Sequence, residues 1–268
     1  MSWQKGHIPW NKGIEWEKRR FILTPSPELS YLIGVNYGDM RHMKYEKKSQ
    51  FAIGLLVTDK DFVEEFRRCA CSITGKKPSR IWETSRVRKG RKKEYGWTIF
   101  SKKLFKFFSE TLDVHKPFIE GYEQYFLRGL FDSEGTITSC SNKTNTQLRL
   151  SFGNKEVTIY SLKLLDKLGM QFKYYEFNSY KKRIGKKGSI PYSNDFIHRK
   201  MMYTIATKNK NIIKNFGEKI CFTIKRKQDM LIYLINYVFK KYCVICGKEF
   251  EPNSNAQKYC NNCRKKNQ

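Results

Sequence analysis

The chain has 268 residues, and its 53 lysines and arginines outnumber 25 acidic residues to give a formal net charge of +28. Hydrophobic residues make up 40% and aromatic residues 15%, which suffices for a packed core and excludes a disordered basic tail. Such an excess of positive charge predicts a polyanionic partner whose binding weakens as salt rises. Charge alone leaves a ribosomal protein or a membrane-surface protein as alternatives.

The sequence shows no membrane-spanning segment. No apolar run approaches the roughly 18 residues that are needed to cross a bilayer. The first residues also lack the apolar core of a signal peptide. We therefore expect an intracellular, cytoplasmic protein without a membrane partner.

After a basic N-terminal extension at residues 1–25, one stretch occurs twice in the chain. Residues 31–40 return as residues 126–135, each an apolar helical segment that ends in an acid. Small residues recur four positions apart on one face of each helix, namely Gly34 with Gly38 and Gly129 with Ser133. Such faces let two helix backbones approach closely, so we expect the two segments to pack as a seam.

The acids of the two copies are Asp39 and Glu134, which align when Gly34 is matched to Gly129. Both fall at the C-terminal end of a helix, where the helix dipole disfavours negative charge. Side by side at the end of a seam, two carboxylates repel unless cations lie between them. This placement predicts a metal site.

Hydrophobic patterning predicts the same order of elements, αββαββα, in a unit at 26–120 and a unit at 121–240. In the first unit we expect strands at 50–57, 79–83 and 95–100 and helices at about 61–72 and 102–111, followed by a linker through Pro117. In the second we expect strands at 148–152, 172–177 and 201–206 and helices at about 157–168, 211–216 and 225–240.

The spacing within the units indicates a tandem duplication. Asp59-Lys60 follows Asp39 by 20 residues, and Asn154-Lys155 follows Glu134 by the same 20 residues. A helix acid, a strand and a polar-lysine pair therefore recur at one offset. The predicted fold class is α+β with pseudo-twofold tandem repeats, and the family that these repeats resemble implies a saddle of two antiparallel sheets.

These stretches resemble the two LAGLIDADG motifs of single-chain homing endonucleases. The second copy is the better match, because Asn36, Tyr37 and Met40 depart from the usual residues in the first. The resemblance implies a monomer that cuts double-stranded DNA with two or three Mg²⁺ ions. It implies that Asp39 and Glu134 are the metal ligands.

The resemblance also assigns roles to the pairs that follow the acids. Lys60 and Lys155 stand where the family places a basic residue near the cut phosphates, and a solvated phosphate anchor is the alternative for both. Asp59 and Asn154 stand at the polar position that orients water, often a glutamine in relatives. Asp59 departs from that pattern, so it either adds a metal contact or reduces activity.

In this family the two sheets lie in the DNA major groove, and outward side chains contact base edges. Two basic loops, at 86–93 and 181–187, occupy matching places in the repeats. The candidates for DNA contact are Arg80, Arg86, Arg88, Arg91, Gln147, Arg149, Lys173, Lys181 and Arg183. For any one of them a solvated charge is the alternative. The halves differ in sequence, so the expected target is only weakly palindromic.

Residues 241–268 carry a second predicted metal site. Cys243, Cys246, Cys260 and Cys263 have the paired spacing of a zinc finger, which suits one structural Zn²⁺ held by four thiolates. Disulfide pairing is the alternative. Zinc would fold a short segment that has no core of its own.

The sequence thus predicts a homing endonuclease that makes a metal-dependent, staggered double-strand cut in a long site. The alternative is a binding protein of the same fold that has lost cutting, such as an intron-RNA maturase or a DNA-binding regulator. Both acids are retained here, which favours the endonuclease.

Overall fold

The computed structural model describes residues 21–45, 50–84, 92–139, 146–180, 199–236, 240–250, 252 and 257–266. In the first unit the elements are α1 (Pro27–Asn36), β1 (Arg41–Tyr45), β2 (Gln50–Val57), α2 (Lys60–Thr74), β3 (Trp82–Glu83), β4 (Tyr95–Phe100), α3 (Lys102–Phe108) and α4 (Leu112–Ile119). The four strands form one antiparallel sheet in the order β1-β2-β4-β3.

The second unit repeats this order. Its elements are α5 (Glu123–Glu134), β5 (Gly135–Ser139), β6 (Thr146–Phe152), α6 (Lys155–Lys167), β7 (Lys173–Tyr180), β8 (Arg199–Thr207), α7 (Lys210–Lys219) and α8 (Lys225–Asn236). Its sheet has the order β5-β6-β8-β7. A short module with β9 (Lys241–Tyr242), β10 (Glu249–Phe250) and α9 (Asn261–Lys266) follows. The predicted α+β class with two antiparallel sheets is confirmed.

Strand register repeats as closely as the sequence does. In the first hairpin Arg41 lies opposite Gly54, and in the second Thr136 lies opposite Arg149. Each residue of the second pair lies 95 positions after its counterpart in the first pair, and the two acids are also 95 positions apart. The hairpin that follows each acid therefore has one geometry in both units.

The segment that we predicted as a linker is helical in the structure. Helix α4 runs from Leu112 to Ile119 and contains Pro117 in its last turn. Proline predicts a break because it lacks an N–H and crowds the preceding turn. Here the helix is short and well buried, with Leu112, His115 and Ile119 packed inside, and burial outweighs the lost hydrogen bond. Each unit therefore closes with two helices.

Helices α1 and α5 pack without side chains between them at two reciprocal points. A Cβ atom on Gly34 would lie 2.1 Å from the carbonyl oxygen of Phe126, and one on Gly129 would lie 2.2 Å from that of Tyr31. Neither position has room for any side chain, and in both cases the neighbouring atom belongs to the main chain. The seam predicted from the spacing of small residues is thus a backbone-to-backbone contact.

We predict that Gly34→Ala destabilises the protein by about 3 kcal/mol, because the helices must separate to admit the methyl group. Gly217→Ala is the matched control. Gly217 also lies in a helix, and a Cβ there meets side chains rather than main chain, namely the tip of Ile235 at 3.0 Å and that of Leu231 at 3.5 Å. Alanine favours helix by about 1 kcal/mol over glycine, so the control stays near or above wild-type stability. Urea unfolding measures both, and equal losses would contradict the close seam.

Candidate functional site

The seam brings the two repeated acids to the same end of the paired helices. Helix α1 ends at Asn36, and hydrogen bonds from the amides of Gly38 and Met40 to the carbonyl of Val35 close the turn that carries Asp39. Glu134 is the last residue of α5. A Cβ built on Gly38 would lie 3.3 Å from Cγ of Glu134, so the second acid lies next to the turn of the first.

The surroundings of Asp39 disfavour an isolated negative charge. Burial raises the pKa of Asp39, and the nearby charge of Asp59 raises it further, while Lys227 and Arg41 act in the opposite direction. Carboxylate oxygens are ligands that Mg²⁺ prefers, and a cation between two acids removes their repulsion. The chemistry of Asp39 and Glu134 is therefore compatible with a divalent cation.

Lys227 is a residue at this site that the sequence did not reveal. It lies in α8 and is almost fully buried, and its Nζ donates to the main-chain carbonyls of Phe131 and Asp132 at the end of α5. Burial lowers its pKa to about 8. It is the third of three consecutive cations, so no pattern distinguished it from its exposed neighbours.

The two motif helices are anchored by different side chains. Asp132 is buried and accepts hydrogen bonds from the Tyr31 hydroxyl and the Thr223 amide, at 3.0 and 2.9 Å. Burial raises its pKa to about 6. In the first copy Tyr37 takes the place of Asp132, and its hydroxyl lies 2.6 Å from Nδ1 of His115. Tyr37 thereby ties the end of α1 to α4 of its own unit, whereas Asp132 ties α5 to α1 and to the segment just before α8.

The structure places the polar-lysine pairs at equivalent helix starts. Asp59 precedes α2 and Asn154 precedes α6. The Asn154 side chain accepts a hydrogen bond from the Val157 amide, whereas the Asp59 carboxylate is bound by Arg226. The lysines are exposed and paired with acids, Lys60 with Glu64 at 3.2 Å and Lys155 with Glu176 at 2.8 Å.

The second sheet presents three of the predicted DNA contacts on one face. Arg149 and Lys173 both lie opposite Ala206, so the three residues form a row across β6, β8 and β7. Gln147 shares this face, while Leu148 and Leu150 point into the core. Arg80 is exposed just before β3. The remaining candidates, namely Arg86, Arg88, Arg91, Lys181 and Arg183, lie outside the described residues, as does the N-terminal extension at 1–20.

The corresponding face of the first sheet carries exposed aromatic side chains. Trp82 covers Gly96, where an added Cβ would lie 2.3 Å from the indole ring. Phe100 is half exposed on the same face and lies against Tyr45, with ring centroids 5.8 Å apart. Exposed aromatic side chains occur on both sheets, since β7 also presents Tyr175 and Phe177 on the face of Lys173.

The four C-terminal cysteines converge. Their Sγ atoms all lie within 4.8 Å of one another, and those of Cys246 and Cys260 are 3.8 Å apart. Tetrahedral zinc with bonds of about 2.3 Å requires sulfurs about 3.8 Å apart. Amide donors of Cys260, Cys246 and Ile245 lower the pKa of Cys243 to about 6, which favours a thiolate. The cluster is compatible with zinc.

Comparison with known proteins places these features in a family. A family model described as a LAGLIDADG-like domain matches residues 121–221. The uncharacterized protein MJ0398 of Methanocaldococcus jannaschii is 32% identical over 234 residues, which cover 86% of this chain and 80% of the relative. A second protein of that organism, MJ0314, is 32% identical over 163 residues, covering 59% of this chain and 60% of the relative.

Solved structures share the fold at lower identity. The crystal structure of I-DmoI with DNA and Ca superposes with a TM-score of 0.51 at 19% identity, covering 77% of this chain and 97% of I-DmoI. Its complex with DNA and Mn gives 0.50 at 20% identity, covering 74% and 97%. The saddle of two antiparallel sheets is therefore shared. Among the described residues, none of the helices has the length and apolar character to cross a membrane.

We predict that the cysteine cluster holds one zinc ion per chain and that Cys246→Ser weakens zinc binding at least about tenfold, since one thiolate ligand is lost. Colorimetric release of zinc measures the stoichiometry and the affinity. Hydrogen exchange after chelation should rise at 240–266 and stay unchanged in the two sheets. Cys71→Ser, which alters a free cysteine of α2, is the control. Equal zinc release from both variants would contradict the site.

Proposed function

We propose that this chain, which belongs to the LAGLIDADG family, is a DNA endonuclease that makes a metal-dependent, staggered double-strand cut in a long and weakly palindromic site. The observation that supports it most is the meeting of Asp39 and Glu134 at one end of the glycine seam. A chain that only bound DNA would gain nothing from two repelling carboxylates there. I-DmoI, a homing endonuclease of the same fold, has been crystallised with DNA and divalent metals.

Asp39 and Glu134 would each hold Mg²⁺ through a carboxylate oxygen. Bound there, the ions supply charge neutralisation and water activation for phosphodiester hydrolysis. The ammonium groups of Lys60 and Lys155 would turn from their acidic partners towards the phosphates and stabilise developing charge. The side-chain oxygen of Asn154 accepts a hydrogen bond from the main-chain amide of Val157, which fixes the side chain. Asn154 would orient water in the second half.

The sheets would supply DNA recognition. Arg149, Lys173 and Gln147 share one outward face, where arginine matches the edge of guanine and glutamine that of adenine. Exposed aromatic side chains suit apolar contact with thymine methyl groups, and they are Trp82 and Phe100 on the first sheet and Tyr175 and Phe177 on the second. The two faces carry different residues, which fits a target whose halves differ. The net charge of +28 would hold the DNA backbone in a salt-dependent manner.

We propose that the cysteine module is a structural zinc site. Its strands have two residues each, and they supply too little apolar surface to fold alone. A metal ion held by four thiolates would provide the missing stability.

Asp39→Asn and Glu134→Gln should each lower Mg²⁺-dependent cleavage at least about a hundredfold, because each removes a charged metal ligand. The assay is cleavage of a plasmid library that carries randomised sites, read by sequencing the cut ends. Asp229→Asn, an exposed acid paired with Lys225, is the matched control and should cut like wild type. Undiminished cutting by either seam variant would refute the assignment. Specific binding by a wild type that never cuts would instead establish the DNA-binding alternative.

Arg149→Ala should relax specificity at one base pair, with a loss of about 1–3 kcal/mol for the preferred base. Competition binding against single-base variants of the selected site measures this loss. Lys214→Ala removes an exposed cation on α7, which pairs with Glu218, and should leave base preference unchanged. A uniform loss of affinity for every sequence would show that Arg149 contacts only phosphate.

A further inference from the structure

Asp59 occupies a helix start without capping the helix. It precedes α2 with extended backbone, φ −96° and ψ 107°, and among the described residues its side chain makes no capping hydrogen bond. Asn154 occupies the same place before α6, with φ −106° and ψ 108°, and caps the helix through the Val157 amide. Aspartate is one of the best capping residues. Another interaction must therefore hold the Asp59 carboxylate away from the helix.

That interaction is a bidentate ion pair with Arg226. Nε of Arg226 lies 2.6 Å from one carboxylate oxygen of Asp59, and the terminal nitrogen Nη2 lies 2.8 Å from the other. Both oxygens of Asp59 are occupied and its side chain is only 16% exposed, whereas the Arg226 side chain is 61% exposed and covers it from the solvent side. Arg226 lies in α8, the closing helix of the second unit, and it therefore reaches across the seam into the first.

The start of α8 is fixed at this corner by a second contact. The Lys225 amide donates a hydrogen bond to the carboxylate of Asp61, in the first turn of α2. This bond holds the first turn of α8 against the loop that carries Asp59. The backbone of Arg226 is therefore tied to the first unit beside Asp59.

Asp59 lies beside the proposed metal site. Arg226, which binds Asp59, is followed in α8 by Lys227, whose Nζ contacts the main-chain carbonyls of Phe131 and Asp132 at the end of α5, the helix that Glu134 ends. The charge of Asp59 also contributes to the field at the Asp39 carboxyl. Without Arg226, the first half would present two carboxylates where the second half presents Glu134 and the neutral amide of Asn154.

We propose that Arg226 is a positioning residue that keeps Asp59 out of the metal site, so that each half of the molecule contributes one carboxylate to the bound ions. The inference rests on the proposed metal site of Asp39 and Glu134. The ion pair of Asp59 with Arg226 has no net charge. In this respect it matches the uncharged side chain of Asn154 in the second half. Helix α4, the counterpart of α8, is fully described and contains a single cation, Lys116, which pairs with Asp113. Because Asn154 is uncharged, the second half needs no cation to neutralise it.

The test measures divalent-ion binding without any cleavage step. Zinc-loaded full-length protein is titrated with Mn²⁺, and free Mn²⁺ is followed by electron paramagnetic resonance. Arg226→Gln should bind Mn²⁺ at least about tenfold more tightly than wild type, because Asp59 becomes an added carboxylate ligand. The double variant Arg226→Gln/Asp59→Asn should return to wild-type affinity. Arg226→Lys, which keeps the charge, should remain near wild type.

Lys225→Gln is the matched control, since it removes the same charge from the adjacent residue, whose side chain is 79% exposed. An equal gain in Lys225→Gln would overturn the proposal, because it would show a general effect of charge. An unchanged affinity of Arg226→Gln for Mn²⁺ would overturn the proposal too, provided that thermal unfolding shows that the variant is folded. If it is not folded, Arg226→Ala is the second variant to test. If the affinity for Mn²⁺ rises in Arg226→Gln and not in Lys225→Gln, but the wild type never cuts DNA, the inference is supported. That result would refute only the proposed endonuclease activity.

Discussion

The structure depends on the approach of two helix backbones at Gly34 and Gly129. Each glycine faces a main-chain carbonyl of the other helix at a distance that no side chain permits. This contact fixes the spacing of α1 and α5, so that Asp39, in the turn after α1, and Glu134, the last residue of α5, lie at the same end of the seam. Because each acid leads directly into the first strand of its sheet, the same contact also sets where the two sheets begin.

Charge at the seam is balanced by groups from the closing helix of the second unit. Lys227 holds the end of α5 through two carbonyls, and Arg226 holds Asp59 of the first unit. The first unit closes with a neutral pair, Tyr37 and His115, in the place of Asp132 and Lys227. A duplicated backbone has thus acquired unequal electrostatics in its two halves, while the strand register has stayed the same.

The sequence predicted the features that recur and missed those that occur once. The repeated offset predicted the seam, and the apolar run at 50–57 matched β2 to the residue, but the sequence did not locate β1 and β5, the first strands of the two hairpins. Helix α4 was missed because Pro117 is a local signal for a break, whereas tertiary burial decided the outcome. Lys227 and Arg226 were missed because a run of cations reads as surface charge. Their roles come from partners about 95 and 167 positions away, and no local pattern encodes such contacts.

The seam glycines have a consequence for how such a protein diverges. Main-chain atoms are the same in every sequence, so a helix that meets its partner through glycine and carbonyl places few demands on the identity of that partner. Halves from different relatives would therefore keep this backbone contact as long as both glycines are kept. The Arg226–Asp59 pair and the Tyr31–Asp132 hydrogen bond work in the opposite way, since each is a specific match between the halves. Recombined proteins would inherit the backbone contact, and would then have to restore those matches.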